Sequence, residues 1–323
     1  MDFTSLTSPY RGELLAYCYR MLGSADEAED LVQETYLRAW RSFEGFEGRS
    51  SARTWLYRIA TNACLTALER RARRPLPAGL GAPDDDPAAP LVAGSEVPWL
   101  QPFPGVPQAG EGADPAAAVV SREGIRLAFV AALQYLSARQ RAVLIMRDVL
   151  GWPAAAAAES LGMTTTAVNS GLRRARDQLA AALPSQDDLA EPDDPRRRAL
   201  VDRFATAVEK ADASALAELL REDVALEMPP LLTWFAGRRT VVEFVAAQLF
   251  TAPGRLRLVP VTANGQPGFA VYQGEPDGTF RAHAIQVLTV TATGISRIVA
   301  FTDPGLFPAF GLPPVHEPAA TDP

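Results

Sequence analysis

Pro153-Ala154-Ala155-Ala156-Ala157-Ala158-Glu159-Ser160-Leu161-Gly162-Met163-Thr164-Thr165-Thr166-Ala167-Val168-Asn169-Ser170-Gly171-Leu172-Arg173-Arg174-Ala175-Arg176 reads as one helix, a turn at Gly162 and a second, basic helix. This is the pattern of a helix-turn-helix that enters DNA. In the second helix Val168, Leu172, Ala175 and Leu179 recur at helical spacing and predict one buried stripe. Asn169, Arg173 and Arg176 then share the outward face, with Ser170 and Arg174 beside them. Arginines can fork onto guanine edges or clamp phosphates, and Asn and Ser can bond adenine edges or backbone. These residues alone also fit a solvated helix pair in an all-α protein.

The surrounding segment favours DNA. The whole chain of 323 residues has a formal charge of −7, which excludes a surface that is basic all over. Between residues 118 and 185, however, Arg122, Arg126, Arg139, Arg141, Arg147, Arg173, Arg174 and Arg176 face only Glu123, Asp148, Glu159 and Asp177. Cys18 and Cys64 are the only cysteines, and neither has a partner at metal-ligand spacing, so both read as buried free thiols in a reducing compartment. The N-terminus lacks signal-peptide character and no apolar run is long enough to cross a bilayer. The expectation is a cytoplasmic protein, with no membrane role, no metal and no cofactor.

The length predicts more than one domain. Residues 1–75 are helical, 76–117 form a Pro-, Gly- and Ala-rich linker with Asp84-Asp85-Asp86 and no Lys or Arg, and 118–185 hold the helix-turn-helix. A short acidic linker, 186–195, leads to 196–311, and 312–323 read as a flexible tail. The composition of the first linker predicts too little apolar burial to offset chain entropy. In the first block, Gly23 stops one helix, Ser24 and Glu27 form a capping box for a helix to about Trp40, and Ser50 or Ser51 caps a third. The middle helix buries Ala28, Leu31, Val32, Thr35 and Ala39, leaving Asp26, Glu29, Asp30, Gln33, Glu34 and Arg38 outward. Phe43, Phe46, Trp55 and Tyr57 flank a basic helix end with Arg70, Arg71, Arg73 and Arg74. That suits single-strand binding by phosphate attraction and stacking, or an aromatic core with a solvated basic end. Ser137 and Gln140 open another helix, with Arg139, Arg141 and Arg147 for phosphates.

The strings Asp26 to Trp40, Phe46 to Asn62 and the helix-turn-helix, in this order and separation, resemble an extracytoplasmic-function sigma factor of the sigma-70 family. The resemblance covers residues 1 to about 185. It implies two all-α sigma domains, with RNA polymerase core and promoter DNA as partners and no bond chemistry. Core polymerase would dock on Asp30, Gln33, Glu34 and Arg38. The minus-ten element would be captured by Phe46, Arg49, Ser50, Arg53, Trp55 and Asn62, of which Trp55 is equally a core residue. The minus-thirty-five duplex would be read by Asn169, Ser170, Arg173, Arg174 and Arg176. The linker of such factors threads a polymerase channel, and an acidic segment is compatible with that.

Residues 196–311 give helices first and antiparallel strands after, an α+β domain. Helices are expected at 196–209, 213–220 and 239–250, and strands at 224–228, 255–263, 268–273, 279–291 and 295–302. With Met228-Pro229-Pro230, Trp234-Phe235-Ala236-Gly237 and Phe301 to Phe307, the order is similar to the SnoaL-like, nuclear-transport-factor-2-like cone. Some relatives of that cone are enzymes with an internal pocket. Glu227, Trp234, Tyr272 and His283 are this chain's lining residues for such a pocket and a small ligand, although the face His283 takes is undecidable from pattern. His316 has no expected chemistry. The leading reading is a non-enzymatic sigma factor regulated in cis by the third domain. A ligand-sensing DNA-binding regulator leaves Asp26 to Asn62 without a job, and a tethered SnoaL-like enzyme needs an acid-base pair.

Overall fold

The computed structural model describes residues 2–46, 51–69, 72–105, 124–182 and 194–316. Two compact units emerge, each assembled from two pieces of chain: residues 1–74 with 106–184, and 75–105 with 185–323.

The first unit is helical. After α1 (Phe3–Thr7), α2 (Arg11–Leu22) ends where Gly23 takes a left-handed φ of 72° and caps it. Ser24 Oγ accepts from Glu27 N to start α3 (Ala25–Arg41), and Ser51 Oγ accepts from Thr54 N to start α4 (Ala52–Leu68). All five expected stripe residues of α3 are buried. The helix-turn-helix block runs through α5 (Leu127–Leu133) and α6 (Ala138–Leu144), whose Ser137–Gln140 capping box closes in both directions. A π-helical turn (Ile145–Val149) follows, then α7 (Ala154–Leu161), Gly162 in the left-handed region, and α8 (Thr165–Ala182). Val168, Leu172, Ala175 and Leu179 are all buried, as the period requires.

The two helical blocks pack on one another, and two buried arginines hold them. Arg20, 1% exposed, donates its Nε–H to Gly124 O at 2.8 Å. Arg141 donates to Met21 O across the blocks, to Gln134 Oε1 at 2.9 Å and to Leu136 O at 3.3 Å. Burial pushes both guanidinium pKa values down to about 10. The assignment of Arg141 to phosphate contact is therefore corrected: its spacing fits an outward position, but it is a fixed donor to main-chain carbonyls. Arg147 likewise donates to Trp152 O. Arg139 alone of the three is fully outward.

The second unit is α+β, as expected. Helices α9 (Pro195–Glu209), α10 (Ala213–Leu219) and α11 (Arg238–Gln248) pack on one face of a sheet of β1 (Leu220–Glu227), β2 (Trp234–Ala236), β3 (Leu256–Ala263), β4 (Gln266–Gly274), β5 (Phe280–Thr291) and β6 (Gly294–Phe301). The order is β2-β1-β6-β5-β4-β3, with β1 and β6 parallel and the other pairs antiparallel. Phe204, Leu216, Val224, Leu226, Phe235, Val241, Phe244, Phe269 and Val271 form the core between helices and sheet. Asn264 and Gly265, at φ 54° and 65°, make the tight β3–β4 turn, a signal the strand reading passed over.

Residues 75–105 depart most from expectation. They form a strap bonded to both edges of this sheet rather than a loose linker. At the β2 edge Asp84 N donates to Trp234 O (2.8 Å), Leu232 N to Val92 O (2.7 Å) and Gly94 N to Pro230 O (2.8 Å). At the β3–β4 turn Asn264 N donates to Phe103 O (2.8 Å), Gly265 N to Gly105 O (3.1 Å), and Phe103 N to Asn264 Oδ1 (2.9 Å). Leu100 N donates to Pro75 O at 3.1 Å, so the strap closes on itself as an Ω-like loop. Leu76, Leu100 and Phe103 are buried and Gly94 packs so tightly that a Cβ there would lie 2.7 Å from the Trp99 ring. The compositional argument fails because a few well-placed apolar residues and many main-chain bonds suffice when a sheet edge waits for them.

The tail is corrected in the same way up to His316. Tyr272 Oη donates to Pro313 O at 3.0 Å, Ala282 N donates to Pro314 O at 2.9 Å, and β7 (Val315–His316) pairs with β5. Residues 317–323 lie outside the described residues.

Candidate functional site

On α3, Asp30, Gln33 and Arg38 are exposed and Glu34 is half-buried, with Arg38 Nη2 on Glu34 Oε1 at 2.5 Å. The four share one outward stripe, as the period predicts. The sequence reading missed what lies beside it. Leu37 and Trp40 are 58% and 62% exposed, and Phe3 of α1 meets Trp40 edge to face at 5.3 Å. Phe3, Arg11, Val32, Gln33, Tyr36, Leu37 and Trp40 line a shallow groove of about 420 Å³. Leu37 and Trp40 fall outside the buried stripe of α3, and that misplacement of large apolar residues was the available signal.

The expected single-strand site is only partly assembled. Arg49 and Ser50 lie outside the described residues. Phe46 stacks on Trp55 with centroids 4.6 Å apart, and Trp55 is buried, so its core role holds here. Asn62 is exposed on α4. Arg53 is engaged within the protein: it pairs with Glu13 at 2.7 Å and lies over the rings of Tyr57 and Trp152 at 5.5 and 5.7 Å. Tyr57 and Trp152 are themselves 5.1 Å apart, so a residue assigned to DNA instead joins the packing of the two blocks. Arg73 similarly covers Tyr135 at 4.2 Å, and Arg74 pairs with Glu27 at 2.8 Å.

On α8 Asn169, Arg173, Arg174 and Arg176 are exposed and Ser170 is half-buried. Arg176 forks onto Asp148 at 2.6 and 2.8 Å, which holds its guanidinium pKa above the usual value. Ser170 Oγ donates to Ala167 O at 3.1 Å. Asn169, Arg173 and Arg174 thus form an open outer face, with Arg176 braced at its side.

In the third domain Glu227, Trp234 and Tyr272 do not face the space between helices and sheet, because their strand neighbours Leu226, Phe235 and Val271 do. The space between helices and sheet is filled by apolar side chains, with Phe204 stacked on Phe269 and Phe235 on Phe244 at centroid distances of 6.0 and 4.5 Å. Glu227 alternates with core residues Leu226 and Met228 and so faces the other way. It is 0% exposed, takes Arg297 Nη1 on Oε1 at 2.7 Å, and accepts Ala78 N of the strap on Oε2 at 2.8 Å. Trp234 donates its Nε1–H to Gly81 O at 3.0 Å, also in the strap. Tyr272 packs on Phe307 and His316 at 5.0 and 5.4 Å, and burial raises its pKa. His283 sits at a bulge, since Val271 pairs with Ala284 and Tyr272 with Ala282, and burial lowers its pKa. The bulge breaks the alternation that a pattern argument relies on.

Among the described residues no helix is long and apolar enough to cross a membrane. Residues 6–74 match the Sigma-70 region 2 model, 126–179 the Sigma-70, region 4 model, and 201–300 the SnoaL-like domain model. The ECF RNA polymerase sigma factor SigG of Mycobacterium tuberculosis (strain ATCC 25618 / H37Rv) is 52% identical over 316 residues, covering 97% of this chain and 84% of that protein. The ECF RNA polymerase sigma factor SigJ of the same strain is 30% identical over 244 residues, covering 73% of this chain and 69% of that protein. The crystal structure of Mycobacterium tuberculosis SigJ aligns with a TM-score of 0.63 at 23% identity, over 97% of this chain and all of that one, and so shares the fold. Both helical blocks and the α+β domain are thereby accounted for in one architecture, and the chain belongs to the extracytoplasmic-function sigma factors of RNA polymerase that carry a C-terminal SnoaL-like domain.

Proposed function

We propose that this chain carries core RNA polymerase to a two-part promoter, using the outer stripe of α3 for docking, the Phe46 to Asn62 segment for the melted minus-ten strand, and the outer face of α8 for the minus-thirty-five duplex. The observation that carries this reading is the open face of Asn169, Arg173 and Arg174 on a helix whose other face is buried. A helix so anchored presents base-reading groups at low entropic cost. In run-off transcription with core polymerase, Arg173→Ala or Arg174→Ala costs about 1–3 kcal/mol and relaxes preference at one upstream position if the side chain reads a base. A uniform loss with a flatter salt dependence marks a phosphate contact instead. Unchanged affinity and selectivity for both variants removes α8 from promoter reading.

Polymerase docking rests on the exposed Asp30–Gln33–Glu34–Arg38 stripe and continues into the groove at Leu37 and Trp40. Reversing Asp30 and Glu34 together to Arg turns an acidic surface basic and is expected to weaken core binding by roughly tenfold or more. Asp30 is exposed and Glu34 makes only a surface i,i+4 pair with Arg38, so the melting temperature should stay within a few degrees. Undiminished competition for core by the double variant refutes this docking face.

The third domain acts in cis and does no bond chemistry. The apolar packing between helices and sheet and the commitment of the Glu227 carboxylate to Arg297 and Ala78 support this. The setting is cytoplasmic, where polymerase works. Truncation after Pro192 is expected to change transcription from the cognate promoter while core binding persists. Identical promoter activity of truncated and full-length chains under all conditions, or substrate turnover abolished by His283→Ala, counts decisively against this role.

A further inference from the structure

Arg176 differs from its neighbours on α8 in what already holds it. Its Nε–H and one Nη2–H are taken by the two oxygens of Asp148, at 2.8 and 2.6 Å. Among the described residues no carboxylate pairs with Arg173 or Arg174, which are exposed on the same helix. The partner of Arg176 comes from outside α8. It sits in the π-helical turn Ile145–Val149, a rare local geometry closed by the bond from Leu150 N to Ile145 O. In an α-helix the residues three and four on from Ile145 would both share its buried face. The wider π turn keeps Val149 buried and leaves Asp148 at the margin, bonded to α8.

We propose that Asp148 is a specificity-determining residue for the minus-thirty-five duplex: it aims the free end of the Arg176 guanidinium at a guanine edge and cancels the charge that would make Arg176 a sequence-blind phosphate clamp. This rests on the reading of α8 as the promoter-reading helix and adds a residue of another element to it.

The chemistry follows from the donors that remain. A guanidinium carries its N–H groups in a rigid planar fork. Asp148 occupies the side edge, Nε with Nη2, so the end edge, with one N–H each from Nη1 and Nη2, is left over and points onward along the side chain. Two parallel donors at that spacing fit O6 and N7 of guanine in the major groove, and they fit two phosphate oxygens as well. Charge decides between the two. Arg176 and Asp148 together carry no net charge, so their contact with a phosphate displaces no counterion, and the carboxylate repels that phosphate. A base edge presents dipoles rather than a net charge, and there the direction of the donors governs the fit. Arg176 lies seven residues after Asn169 and three after Arg173, on the same outward face of the helix. Its side chain is 59% exposed and that of Asp148 30%, so the pair is open to a ligand arriving from solvent. Bonding to Asp148 also fixes a long side chain before DNA arrives, which lowers the ordering cost of a base contact.

The test uses the full-length chain with core polymerase and duplexes in which each upstream base pair is varied singly, over a series of salt concentrations. Asp148→Asn should lower the preference for guanine at one upstream position by about fivefold or more and leave the other positions unchanged. Its uncompensated Arg176 should also steepen the salt dependence by one phosphate contact, about 0.9 in the log-log slope. Asp148→Glu keeps the charge and should keep the slope of the unmodified chain. In an Arg176→Ala background Asp148→Asn should no longer alter base preference, because Asp148 acts through Arg176. Three results overturn the proposal: guanine preference retained by Asp148→Asn, an unchanged salt slope in that variant, or a loss of preference spread over every upstream position, which marks general loosening of α8. Each of them leaves the promoter reading standing where Arg173→Ala or Arg174→Ala still relaxes an upstream position. If no substitution on α8 alters promoter selectivity, the promoter reading itself fails and this proposal with it.

Discussion

Arg297→Ala is expected to destabilise the third domain by about 3–5 kcal/mol, because it leaves a carboxylate buried without its counter-charge. Glu227 has no exposed surface, and its two oxygens are met by Arg297 and by the Ala78 amide. Removing the guanidinium leaves a single main-chain donor for a full negative charge. Arg297 is 26% exposed at its side chain, which lets water enter after truncation and places the cost toward the lower end of that range. The measurement is scanning calorimetry of the full-length chain, where the transition of this domain should fall by on the order of 10 °C or more. Adding Glu227→Gln should recover a good part of the loss, since the neutral amide keeps a carbonyl for Ala78 and brings no unpaired charge. An Arg297→Ala protein with an unchanged transition, or a double variant no better than the single, contradicts this account of the pair.

The second large effect is expected at Arg141. Arg141→Met keeps most of the side-chain volume but removes donors to Met21 O, Gln134 Oε1 and Leu136 O, all in buried surroundings. Orphaned buried acceptors cost about 1–3 kcal/mol each, offset here by relief of the desolvation that lowers the guanidinium pKa to about 10. The net expectation is a loss of about 2–4 kcal/mol in the helical unit, read as a lower thermal midpoint. Arg20→Met serves as the comparison, because Arg20 reaches Gly124 from the other block and leaves the helix-turn-helix interior alone. If Arg141→Met is neutral, the buried guanidinium is not what fastens α6.

Helix limits and buried stripes were legible because they depend on neighbours in sequence. Gly23 as a left-handed cap, Ser50 or Ser51 and Ser137 as N-caps, and the Val168–Leu172–Ala175–Leu179 stripe all follow from local chemistry and a 3.6-residue period, and the cap of α4 is Ser51. Placement of the third domain's strands was also readable, apart from the three-residue β2, the two-residue β7 and the first half of β1, which begins at Leu220 and not at Val224. What local pattern could not supply was the use of arginines. Arg53, Arg73 and Arg141 look alike in sequence, yet one is paired with Glu13, one lies on Tyr135 and one is buried against carbonyls, each decided by a residue distant in the chain. Facing was lost in the same way at Glu227 and His283. Alternation fixes relative faces but not which face the helices cover, and a bulge at His283 resets even that.

The strap's attachment through its main chain has a consequence for how its sequence can drift. The peptide groups of Asp84, Val92, Gly94, Phe103 and Gly105 make its bonds, and every amino acid except proline supplies the same peptide N–H. Most point changes in residues 75–105 therefore leave the attachment untouched, and such a segment can wander in composition across generations while its path stays fixed. The intolerant positions are few and of three kinds. One is any amide donor changed to proline, another is the pair of glycines, Gly94, where the Trp99 ring leaves no space for a side chain, and Gly105, whose φ of 73° lies in the left-handed region, and the third is the buried Leu76, Leu100 and Phe103. A stretch that looks unconstrained by its letters is thus constrained by its geometry, and purifying pressure on it would concentrate at two glycines and a few buried apolar positions.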